Sequence, residues 1–143
     1  MNFITTRLRR ALACKNGSIA VEFAVVMPIF TFMLFSIIEF GFVFVAYGAM
    51  HFAAGSAARQ VGVNSLAAAG AEDAVKSMMP KWVADASTVT TTSTVDPNPL
   101  KSSVTITVSA PVSGATPLSF FTLTPSWILS TSVVARQELP YEG

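Results

Sequence analysis

From Ser18 to Met50 the chain contains no Lys, Arg, Asp, Asn or Gln, and its only charges in that run are Glu22 and Glu39. At a rise of about 1.5 Å per residue, roughly 20 such residues cross the hydrocarbon core of a bilayer, so this run has length to spare. Four of the nine basic residues, Arg7, Arg9, Arg10 and Lys15, precede it, and no acid comes before Glu22. Cationic residues beside a spanning segment stay on the cytoplasmic side. The expected topology is a single pass with the basic amino end inside and the remainder of the chain outside.

Composition agrees with an anchored protein. Apolar residues make up 52% of the chain against 12% charged, and the net charge of +1 gives no general attraction to nucleic acid. The 143 residues suffice for one small domain beyond the membrane run. Cys14 is the sole cysteine, so no disulfide forms within the chain. A lipoprotein signal around Ala11-Leu12-Ala13-Cys14 is excluded by order, because the apolar stretch follows the cysteine instead of preceding it. A cleaved secretory signal is also a poor fit, since its apolar core runs only about 7–15 residues.

The expected organisation is a cytoplasmic leader over 1–17, a transmembrane and extended helix over 18–70, and an α+β domain on the far side of the membrane over 71–143. Pro28 should kink the first helix. Helix from Ser18 to about Ala68 would be roughly 75 Å long, with 62–70 its weakest part. Glu72 to Ala86 reads as an amphipathic helix closed or kinked at Pro80. Residues 87–95 are β-branched and polar, and Asp96-Pro97-Asn98-Pro99 is a turn. Val104, Ile106 and Val108 alternate with Ser103, Thr105, Thr107 and Ser109, as in a half-buried strand paired with 87–95. Pro111 to Pro125 is a loop with an apolar anchor of Leu118, Phe120, Phe121 and Leu123, and Trp127 to Arg136 is a third strand. The fold class is therefore α+β: a long amino-terminal membrane helix, then a helix with a three-stranded antiparallel sheet. Such a sheet needs a helix on its apolar face, supplied by 72–86 or by the outer half of the long helix.

The junction Lys15-Asn16-Gly17-Ser18-Ile19-Ala20-Val21-Glu22 puts a carboxylate just inside the apolar run. A charge at mid-bilayer costs about 2.5–3.5 kcal/mol on insertion scales, so a counter-charge is called for. Cleavage between Gly17 and Ser18 would free an α-amine one helical turn from Glu22, able to pair within its own chain or with a neighbouring one. Alternatively, Glu22 snorkels to the headgroups beside Lys15 in an uncleaved anchor. Further along, Gly41, Gly48, Gly55 and Gly62 recur every seven residues, a repeat that drifts only about 20° per step on a helix. They form one narrow stripe suited to close helix packing, and Ala49, Ala53, Ala57 and Ala54, Ala58, Gly62 add small residues at intervals of four.

The run Gly17-Ser18-Ile19-Ala20-Val21-Glu22-Phe23-Ala24, followed by Pro28 and by Ile37-Ile38-Glu39-Phe40-Gly41, closely resembles the TadE-like family. These are pseudopilins or minor pilins of the bacterial tight-adherence, Flp-type pilus systems. The likeness extends through Ala57-Ala58-Arg59 and, more loosely, to Ser132–Glu138. It implies removal of residues 1–17 by a membrane prepilin peptidase, with Gly17 and Ser18 as its substrate and Glu22 as the charge that sets register. It also implies partnership with other pilins, pseudopilins and assembly proteins in the inner membrane, with possible entry into the extracellular pilus. Phe23 departs from the tyrosine common in the major pilins, which argues against that role. An uncleaved scaffold of the same machinery and a type II secretion pseudopilin are the alternatives.

Nothing points to an enzyme, a cofactor, a metal, a small-molecule substrate or nucleic acid. His51 is the lone histidine, and acid–base chemistry needs an orienting partner. One Cys and one His cannot form a zinc site. Glu39 is expected near the outer membrane surface, paired with another subunit or unpartnered, and Trp82 and Trp127 are expected in a core or an interface.

Overall fold

A computed structural model of the protein describes residues 16–96, 101–118, 120 and 127–138. The basic leader up to Lys15, the turn residues Pro97, Asn98 and Pro99, and the anchor residues Phe121 and Leu123 lie outside this set. The elements are α1 (Asn16–Gly62), a 3₁₀ turn (Ala68–Gly70), α2 (Ala71–Met78), α3 (Lys81–Ala84), β1 (Thr88–Thr94), β2 (Ser103–Pro111) and β3 (Ile128–Arg136). This is the expected α+β arrangement of a long amino-terminal helix followed by short helices and a three-stranded antiparallel sheet. The chain divides into two compact units after Ile37.

In the first unit the apolar side chains face outward. Ile19, Val21, Phe23, Val25, Val26, Ile29, Phe30 and Phe32 are each more than half exposed. The helix from Ile19 to Gly62 is long and apolar enough to cross a membrane, and only 11% of its most apolar 18-residue window is buried. A core helix of a soluble protein would be mostly covered. The helix is continuous through Pro28.

The second unit is built on an antiparallel sheet of order β1-β2-β3. β2 alternates buried and half-buried positions along its length. Its Val104, Ile106 and Val108 lie opposite Ala135, Val133 and Thr131 of β3, and Val108 also lies opposite Val89 of β1. These residues join one core with Ala46, Met50, Ala53, Ala54, Ala57, Ala58 and Val61 of α1 and with Val75 and Val83 of the short helices. Both candidate helices thus cover the sheet. Full burial of a Val or Ile side chain contributes about 1.5–3 kcal/mol. Ile106 is completely buried on the central strand. Ile106→Ala is expected to lower the unit's unfolding free energy by about 2–5 kcal/mol, read by urea denaturation of the whole chain in detergent.

The long helix ends at Gly62, short of 68–70. Ser65 N–H donates to the Gln60 carbonyl (2.9 Å) and Asn64 N–H to that of Val61 (3.1 Å). Asn64 has φ 56°. That is a Schellman termination, with asparagine in the left-handed position it tolerates better than most residues. Beyond it, Pro80 separates α2 from α3, as expected. Met79, immediately before the proline, is extended at φ −99° and ψ 154° because the ring disfavours helix there.

Candidate functional site

The residues singled out in the sequence lie along α1, and the structure assigns them to different surroundings. Gly17 lies in the first turn of the helix, with nothing among the described residues near the place a Cβ would occupy. Ser18 follows it, and Glu22 is exposed one turn further on among the outward-facing apolar side chains. Gly41, Gly48 and Gly55 likewise have open space at the Cβ position. Gly62 does not. A Cβ there would stand 2.6 Å from the carbonyl oxygen of Arg136. The Gly62 carbonyl also accepts a hydrogen bond from Glu138 N–H at 2.7 Å, and Asn64 Nδ2 donates to the Glu138 carbonyl at 2.7 Å. The last glycine therefore serves the joint between α1 and the end of β3, leaving the stripe open at three positions.

The alanines are used in the same inward way. Ala53, Ala54, Ala57 and Ala58 are fully buried against the unit's own core. Their small side chains let the helix approach the sheet closely, so their spacing serves packing within the chain.

Glu39 differs from the expectation of an interfacial carboxylate. It is 1% exposed, and its Oε2 accepts a hydrogen bond from the backbone N–H of Phe120 at 3.1 Å. Burying a carboxylate is unfavourable unless hydrogen bonds replace its water, and this amide supplies one. The bond links α1 to the loop between β2 and β3. His51 shares a 2.9 Å hydrogen bond with Thr131 Oγ1 and stacks on Tyr47 with an interplanar angle of 14°. Trp82 meets Phe42 edge-on, with ring centroids 6.2 Å apart. Trp127 is 57% exposed at the start of β3. Among the described residues no three His, Cys, Asp or Glu side chains converge as metal ligands would.

What this helix presents outward is an apolar first half, one carboxylate near its start and three glycines with open space at the Cβ position. Such a surface suits contact with lipid and with other helices. Comparison with known proteins agrees over this same segment: residues 17–59 match the family described as TadE-like protein. The chain is similar there to a pilus-related family of the tight-adherence system, as the motifs imply. No curated protein and no solved structure matches the chain.

Proposed function

We propose that this chain, TadE-like over residues 17–59, is a non-enzymatic pilin-like subunit, a pseudopilin or minor pilin. It is anchored in the bacterial inner membrane with its amino end cytoplasmic and its sheet-bearing unit periplasmic. Prepilin peptidase removes residues 1–17, and the released α-amine of Ser18 answers the carboxylate of Glu22. The helix then packs among other pilin-like helices along Gly41, Gly48 and Gly55, where an added Cβ would meet nothing among the described residues. The assembly supports pilus formation and adhesion to surfaces.

The observation that carries this reading is the junction itself: a glycine, a helix start and a carboxylate five residues past the glycine, all within the segment that matches the family. One observation favours an uncleaved scaffold of the same machinery. α1 already includes Asn16 and Gly17, so the bond to be cut lies in the first helical turn, although such ends fray by one or two residues. Mass measurement and amino-terminal sequencing of chain extracted from membranes separate the two. The expected mature chain begins at Ser18. Recovery of the Gly17–Ser18 bond intact would transfer the protein to the scaffold reading.

A further inference from the structure

The second unit has two dissimilar ends. At one end of the sheet Ser103 pairs with Arg136, close to Gly62, and Arg59, Lys101, Asp96 and Glu138 all belong to segments that meet there. At the other end Pro111 pairs with Ile128. Between Ser102 and Ala135 there is no charged residue, and none between Phe40 and Ala58 apart from the titratable His51. Here Phe40, Phe44, Val112, Trp127 and Ile128 line a groove of about 460 Å³ without any polar side chain. Phe44 is 74% exposed and Ile128 68%, and Phe120 on the neighbouring loop is also more than half exposed.

Glu39 is the one carboxylate that α1 brings to this end, and it is turned inward beneath the Phe120 amide. Among the described residues charge returns beside Trp82, which meets Phe42, with Lys81 at the start of α3 and Asp85 just after its end, both exposed. Ile38, the first residue of the unit, brings α1 in at this end, two residues before Phe40 of the groove. About 20 residues from Ile19, the length that crosses a bilayer core, bring the chain to this same point.

We propose that this end of the unit is seated in the lipid surface. Acyl chains fill the groove, and Trp127 and Phe120 lie at the headgroup boundary, where aromatic rings are favoured. The inference rests on the membrane-anchored reading above. A partner helix would require a narrow apolar stripe, whereas here the ends of two strands, Phe120 and a stretch of helix are uncharged together. Turning Glu39 inward keeps its charge away from hydrocarbon.

The two tryptophans make the test direct. In a Trp82→Phe variant of the full chain, emission comes from Trp127 alone. Reconstituted at low protein density into phosphatidylcholine vesicles brominated near the top of the acyl chains, it should lose roughly twofold of its intensity against unbrominated vesicles, because an indole at that depth lies beside the bromines. Unchanged emission from a chain that still resists alkaline carbonate extraction would overturn the seating and leave the anchor standing. Release of the chain by carbonate would overturn the anchor and the seating together. Quenching that vanishes as protein density rises would give the groove to a second copy and overturn the assignment to lipid.

Discussion

Glu22→Ala is expected to leave removal of residues 1–17 intact while reducing pilus assembly by roughly tenfold or more, a loss equivalent to at least about 1.4 kcal/mol. The two effects separate for a physical reason. Alanine spares the helix the insertion cost of a carboxylate, about 2.5–3.5 kcal/mol at the membrane centre, so anchoring and access to the peptidase improve if they change at all. What disappears is the group that holds one helix at a fixed height against the next. Hydrophobic and small-residue packing tolerate sliding along the helix axis, whereas an amine–carboxylate pair within the apolar layer does not, and fixing register is the best-attested use of such pairs. Glu22→Asp, with the same charge on a shorter stem, should recover part of the assembly. Leader removal is read by mass and assembly by the amount of pilus protein sheared from cells. Pili in normal amount from Glu22→Ala would remove the register role.

Much of the second unit was legible because its signals are local. The alternation of Val104, Ile106 and Val108 with hydroxyl side chains is a period-two pattern, and β2 became the central strand with that alternation intact. Pro80 separated two helices because a proline acts on its immediate neighbours. The end of α1 was also written in the sequence, at Asn64, but an asparagine in an Ala/Gly-rich stretch stands out as a stop only once its φ of 56° is known.

The features that escaped the sequence depend on distant partners. Glu39 meets a backbone amide 81 residues away, and any residue type at Phe120 except proline could supply that amide. The spacing of Ala53, Ala54, Ala57 and Ala58 announced a close approach without saying to what. A neighbouring subunit's helix and the chain's own sheet call for the same small residues, and here the sheet took them. Gly62 escaped for the same reason. The heptad spacing groups it with Gly41, Gly48 and Gly55, but the end of β3 lies only over the last of the four.

That difference makes two otherwise identical substitutions behave oppositely. In Gly48→Ala the new methyl meets nothing among the described residues, and alanine is better than glycine inside a helix by about 0.8–1.0 kcal/mol. The unit should melt slightly higher, while assembly falls if the open stripe packs against other helices. In Gly62→Ala the methyl would stand 2.6 Å from the Arg136 carbonyl, a backbone atom that cannot rotate away. The strand end cannot retreat freely either, because Glu138 N–H is bound to the Gly62 carbonyl at 2.7 Å and Asn64 Nδ2 to the Glu138 carbonyl. Forcing a methyl into a closed contact costs about 1–3 kcal/mol. The gain in helix propensity is smaller than usual at the last helical residue, so a net loss of about 1–2 kcal/mol remains. For a domain of about 100 residues each kcal/mol shifts the melting temperature by roughly 4–8 °C. Melting of the two variants, followed by circular dichroism of the full chain in detergent, should therefore move in opposite directions from the parent. A Gly62→Ala protein that melts at or above the parent temperature would show that the joint between α1 and β3 yields without cost, and Gly62 would then rejoin the other three as a residue kept small for contacts outside the chain.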